Sequence, residues 1–372
     1  MYTENYPWLE TELTQPDILV VISATLAAQR VTGVVPLLIG IPGNAKTSLV
    51  EKMAEVIGHG CHVLSAARMN PEDLNGPMVL STDRSTFDYC TPAWAVNAHP
   101  NTLIFADEVN QGSTRTEAAL MRFLLEGSVG NVKVPSFRIA AMNPPHASTG
   151  GRPFGAPTAN RFCHIPWSAS IDAFEDWASG NQGFYPPAIP DVTSDEVKAE
   201  VIASVIPTIK NGNDVAKLEC LPENPEHHQG PWASQRTWTS AAGIVCALRK
   251  MDKLHLVEDA CAMVIGRDAA AVYAKHVLVS GLPSPDALIN DPTLVYKLAG
   301  GVAMQCITAA IKFVASQPTL TLQEVEDMAA DFTDDSRYEL ANFTIGSLKK
   351  LGYDSRRLKK MQARIIAAIG GN

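Results

Sequence analysis

Four short apolar runs in the first half of the chain each end in a turn or a polar residue: LLI at 37–39, HVLS at 62–65, LIFA at 103–106 and RIAAM at 138–142. Amphipathic stretches separate them, and this alternation predicts a parallel sheet flanked by helices. Pro36 cannot donate to a ladder, so the first strand is expected to begin at Leu37. Beyond about residue 168 the strand pattern fades into Ala- and Leu-rich text with helical spacing, as in TSDEVKAEVIASVI and SQRTWTSAAGIVCALRKM. Loop-like breaks rich in Gly, Pro and Asn punctuate that half at 180–191, 221–231 and 280–292.

The turn after the first run carries the first candidate chemistry. GIPGNAKTS at 40–48 departs from G-x-x-x-x-G-K-[ST] only at Ala45. A loop of this kind holds phosphate because backbone N–H groups and a helix N-terminus converge on it. The candidate nucleotide-binding residues are Gly40, Pro42, Gly43, Asn44, Ala45, Lys46, Thr47 and Ser48. Lys46 would reach the β- and γ-phosphates and the Thr47 hydroxyl would ligate Mg²⁺. Ala45 is expected to enter the first helical turn with a negative φ.

Two further strand ends complete the pattern. LIFADEVN at 103–110 closes an apolar strand with two carboxylates, Asp107 for the metal and Glu108 as general base toward the attacking water. Its distance from the phosphate loop leaves room for one intervening strand, which would lie outside while the two motif strands are neighbours. SFRIAAMNPP at 136–145 ends in Asn143, whose amide could hold the lytic water or touch the γ-phosphate. VGNV at 129–132 is a hairpin signal.

Composition narrows the classes. The 372 residues include 46% hydrophobic and 19% charged side chains, enough for a sizeable core. The polar, acidic N-terminal stretch and the lack of a long apolar run point to a cytoplasmic protein without a membrane span. A net charge of −9 speaks against a nucleic-acid-gripping surface. The seven scattered cysteines contain no C-x-x-C, and HGCH at 59–62 is read as structural. An acidic segment, 323–339, precedes a basic one, 349–364, and the two are expected to pair as helix faces of opposite sign.

Taken in order, these motifs resemble those of MoxR-family AAA+ ATPases. G-[VI]-P-G-x-A-K-T matches 40–47, so Ala45 follows the family spelling. PEDLNG at 71–76, ADEVN, IAAMNPP and NRF at 160–162 continue the resemblance over roughly residues 30–168. It implies an α/β P-loop NTPase (AAA+) core over 1–170, a parallel sheet flanked by helices. An all-α lid at 171–285 and a C-terminal helical extension at 286–372 would follow.

The resemblance also implies ATP and Mg²⁺ as cofactors, Thr47 and Asp107 at the metal, and Glu108 and Asn143 as catalytic residues. Arg161 would be the arginine finger reaching a neighbouring copy's site, with Arg152 and Arg115 as competitors, and Arg236 the second-sensor arginine. Gln111 stands where the family commonly has arginine. The implied function is remodelling of, or cofactor insertion into, a client protein by a homo-oligomeric ring, a hexamer. The implied partner carries a von Willebrand factor A domain. The alternatives are a nucleotide-gated scaffold with little turnover and, less in keeping with the charge, a DNA translocase.

Overall fold

The computed structural model describes residues 12–144, 147, 152–168, 170–179, 186–211, 214–280, 285–296, 300–316 and 321–369. Pro145 of the AAMNPP turn and parts of the 180–191 and 280–292 breaks lie outside the described residues. The chain forms two compact units, Met1–Leu278 and Val279–Asn372.

The strands of the first unit are β1 (Val35–Ile39), β2 (Gly60–Ser65), β3 (Met78–Leu80), β4 (Phe87–Tyr89), β5 (Thr102–Asp107), β6 (Ser128–Val129), β7 (Val132–Lys133), β8 (Phe137–Met142) and β9 (Phe162–Pro166). Five of them make one sheet in the order β2-β5-β8-β1-β9, all parallel. The other four pair as antiparallel hairpins, β3 with β4 and β6 with β7, the latter around the expected Gly130–Asn131 turn. Beyond β9 the described residues hold only an isolated bridge, Cys220 to Ala233, so the second half is helical as expected.

The order of strands corrects one expectation. The phosphate-loop strand β1 and the carboxylate strand β5 are not neighbours, because β8 lies between them. The sheet also has an edge strand, β9, that the apolar pattern did not predict. FCHIP mixes Cys, His and Pro, and its proline falls at the strand end, where the edge tolerates it.

Side chains alternate across the sheet, as a pleat requires. Leu38, Leu103, Phe105, Ile139, Ala141, Cys163 and Ile165 face a core filled by the helices Gln15–Thr32, Lys46–Val56 and Gln235–Lys250. Leu37, Ile39, Ile104, Ala106, Ala140 and Met142 face the helix Thr114–Glu126 on the other side. Gln15–Thr32 is buried almost all round, so it lacks the polar stripe that would have marked it in the sequence. Its start is fixed by a Thr14–Asp17 capping box and its end by Gly33 at φ 77°.

Pro36 sits inside β1, not before it. Gly40 N–H donates to the Met142 carbonyl, so by register residue 36 would donate to Arg138. Proline cannot, and the Gln29 amide takes that place. Its Nε2 donates to the Arg138 carbonyl at 2.8 Å and its Oε1 accepts the Arg138 N–H at 2.9 Å. The Arg138 guanidinium is buried beneath the C-terminus of Thr114–Glu126, donating to the Phe123 carbonyl at 3.3 Å, and burial lowers its pKa to about 10. The helix dipole favours a cation there.

The second unit has its own core, built from the helices Gly300–Ser316, Leu322–Asp334, Tyr338–Lys350 and Arg356–Ile369 around Ile307, Phe332, Ile345 and Leu358. Its acidic and basic helices pair within the chain through Arg357 with Asp327 and Arg364 with Asp334, as expected. Glu326, buried beneath that pairing, accepts from Tyr353 and Ser355.

Candidate active site

Parallel strands leave their C-terminal ends along one edge of the sheet, and the predicted chemistry gathers there. β1 feeds the loop 40–45, which runs into the helix Lys46–Val56. Ile41, Pro42 and Gly43 are exposed, Asn44 is half-buried, and Ser48 is exposed in the first helical turn. Gly43 lies at φ 81°, which favours glycine. Gly40 is needed for a different reason: a Cβ there would come within 2.3 Å of the Trp167 carbonyl oxygen.

Ala45 does not have the negative φ expected of it. It occupies the left-handed region at φ 56° and ψ 27°, as N-cap of the helix. An L-residue pays about 1–2 kcal/mol there, and glycine is spared that cost while bringing more entropy to the unfolded chain. Ala45→Gly is therefore expected to keep nucleotide binding within about twofold and to raise stability by about 0.5–1 kcal/mol. Urea unfolding and an ADP titration check this, and a lowered midpoint would show that the left-handed turn carries no strain.

Lys46 is buried, and its ammonium donates to the Gly40 carbonyl (2.8 Å), the Ile41 carbonyl (3.0 Å) and Asn143 Oδ1 (2.9 Å). These saturate its three protons. Burial lowers its pKa, and the charges of Asp107 and Glu108 oppose that shift. The Thr47 hydroxyl donates to Asp107 Oδ2 at 2.7 Å, across the gap between helix and β5. Thus Lys46, Thr47, Asp107 and Asn143 meet, with β8 placing Asn143 between the loop and the carboxylates.

The turn after β5 is held in an unusual conformation. Glu108 lies at φ 55°, its N–H donates to Asp107 Oδ1 at 2.9 Å and its carbonyl accepts from Gln111 N–H at 2.8 Å. The next amide, Val109, donates to the Ala141 carbonyl of β8 at 3.0 Å. Buried Asn110 reinforces this link, its Nδ2 donating to the Asn143 carbonyl at 3.0 Å. The Asp107 carboxylate is thereby committed on both oxygens. A non-glycine residue in this region marks a constrained site.

A magnesium ion takes hard oxygen ligands and only one or two carboxylates beside substrate phosphates. Thr47 Oγ1 and Asp107 fit that donor set. HGCH holds no metal cluster: among the described residues no three His, Cys, Asp or Glu side chains are placed to bind one.

The arginines divide into two groups. Arg152 is engaged in its own chain, with the Gly112 carbonyl (2.9 Å), Thr114 Oγ1 (2.8 Å) and Glu117 (3.5 Å). Arg115 is exposed on the first turn of Thr114–Glu126. Arg161 lies at the opposite, N-terminal edge of the sheet, where its carbonyl accepts from Val35 N–H. From Val35 to Gly40, five residues of strand separate it from the loop by about 17 Å.

Arg236 lies near Arg161, not near the loop of its own chain. Buried Asn160 brings them together, donating to the Trp232 carbonyl at 2.9 Å and accepting from Ser234 Oγ at 2.7 Å. Ser234 caps the helix Gln235–Lys250, which puts Arg236 in its first turn. Desolvation lowers the Arg236 pKa, and the charge of Arg161 adds to that. Among the described residues neither guanidinium has an ion-pair partner.

Sequence reasoning missed Trp167, directly after β9. Its indole N–H donates to the Asn44 carbonyl at 2.8 Å and its backbone N–H to Ile39 at 2.8 Å. No local pattern distinguishes it from a core aromatic.

Residues 35–163 match the ATPase family associated with various cellular activities (AAA). That segment runs from β1 into β9 and so takes in the strands of the five-stranded parallel sheet, with helices following it. No curated protein matches the sequence. Among solved structures, one described as a "putative ATPase" from Cytophaga hutchinsonii is 18% identical, with 83% of this chain and 94% of that chain covered and a TM-score of 0.38. No helix among the described residues is long and apolar enough to cross a membrane.

Proposed function

We propose that this chain is a cytoplasmic ATP hydrolase whose active site is completed by a second copy of itself. Lys46 binds the β- and γ-phosphates, Thr47 and Asp107 hold the Mg²⁺ that neutralises phosphate charge, Asn143 orients the lytic water and Glu108 accepts its proton. The observation that carries the reading is the pair Arg161 and Arg236, uncompensated and about 17 Å of strand away from their own loop. Such a pair suits the triphosphate of a neighbouring copy, with Arg161 as the finger and Arg236 beside it.

Repetition of that contact gives a homo-oligomeric ring, a hexamer in the finer reading, and the helical lid at 171–285 moves with the nucleotide state. The spelling GIPGNAKT, with NRF running into β9, supports the MoxR branch. With it come client remodelling or cofactor insertion and a partner bearing a von Willebrand factor A domain. The β3–β4 hairpin, whose Met78, Leu80 and Phe87 are 60%, 64% and 57% exposed, offers apolar surface for such a client.

Mixing tests the shared site. Lys46→Ala and the double variant Arg161→Ala, Arg236→Ala should each be inactive, the latter falling on the order of 10³-fold. Combined, they should regain ATP turnover, because one copy supplies an intact loop and the other intact arginines. Co-assembly of the two without any recovered turnover would rule the shared site out.

A further inference from the structure

The phosphate loop is gripped at both ends by one residue, Trp167, directly after the edge strand β9. At the loop's start, Trp167 N–H donates to the Ile39 carbonyl at 2.8 Å, and its own carbonyl occupies the space that a Gly40 Cβ would need. At the loop's end, the indole N–H donates to the Asn44 carbonyl at 2.8 Å. Trp167 is 6% exposed and packed in the core beneath the sheet. Among the described residues, no other side chain from outside the loop and its helix hydrogen-bonds the loop backbone.

The peptide that Trp167 holds is the one that matters to the loop's shape. In a trans peptide the C=O and the following N–H point in opposite directions, so fixing the Asn44 carbonyl also fixes the Ala45 N–H. Ala45 is the residue in the left-handed region, and Lys46 follows it directly. Without an anchor, a non-glycine residue would relax toward negative φ and turn that N–H elsewhere.

We propose that Trp167 is a positioning residue for phosphate binding. Its indole N–H holds the Asn44–Ala45 peptide so that the loop meets the nucleotide preformed. This inference rests on the reading of 40–48 as the nucleotide site. Its chemistry is that of one buried neutral hydrogen bond whose effect appears in binding more than in the chemical step.

The test uses the full chain with ADP and ATP. Trp167→Phe keeps an aromatic ring and removes the donor. ADP affinity should fall about tenfold and the KM for ATP should rise by a similar factor. The kcat should stay within about twofold and the unfolding midpoint near that of wild type. A merely structural role would lower the midpoint without splitting KM from kcat. Lys46→Ala is the control: if it binds ADP as wild type does, the site assignment fails and the proposal with it. If Lys46→Ala loses ADP while folded Trp167→Phe binds it normally, only the role of Trp167 is overturned. Should Trp167→Phe not fold, hydrogen exchange on the wild type decides. ADP should slow exchange across 162–168, and unchanged exchange there would overturn the proposal.

Discussion

Lys46→Ala is expected to weaken ADP and ATP binding by about 100-fold or more, the value of losing one strongly bonded buried cation. Two effects add. The variant loses the donor that a phosphate oxygen would take over from Gly40 or Ile41. It also strips Asn143 Oδ1 of its partner and leaves Asp107 and Glu108 without the neighbouring positive charge. Phosphate would then approach two carboxylates with no cation between. Calorimetric titration with ADP reads the loss directly, and near-wild-type affinity would mean that nucleotide does not sit in this loop.

Glu108→Gln should separate binding from turnover. Asp107 accepts from Thr47 Oγ1 and from Glu108 N–H, whereas the Glu108 carboxylate is the group proposed above as general base. The substitution keeps the shape of the side chain while removing its capacity to accept a proton. ATP hydrolysis should fall by about 10²–10⁴-fold with ATP affinity retained. Steady-state phosphate release, measured where copies assemble, checks it. Equal low rates for wild type and variant would favour the nucleotide-gated scaffold.

The parts of the site that the sequence made legible are those written locally. Lys46, Thr47, Asp107, Glu108 and Asn143 each follow an apolar strand, and parallel strands bring such positions to one edge whatever their order. The order itself was not legible, because each of β1, β5 and β8 is an interchangeable apolar run until the ladders form. Ala45 shows another limit. Its letter matches a spelling that the sequence resembles, but its φ is positive, and the peptide before it is bonded by Trp167, a residue 123 positions away from Asn44. Arg236 likewise matched a short motif, while its location beside Arg161 depends on Asn160 bonding the loop before its helix. Gln29 and Pro36 look like a helix polar residue and a strand breaker until one replaces what the other lacks.

The Gln29 substitution for a ladder bond has a bearing on where the folded unit around this sheet begins. Similarity to the AAA family starts at residue 35, at the first residue of β1. The hydrogen-bonding surface of β8 does not stop there, since one rung on its β1 side is contributed by the helix Gln15–Thr32. That helix in turn lies against Gln235–Lys250, where Gly243 leaves just enough room for Ala28 and Thr32. The compact unit Met1–Leu278 thus takes in sequence on both sides of the matched segment. The segment that resembles the family is shorter than the unit that packs around it.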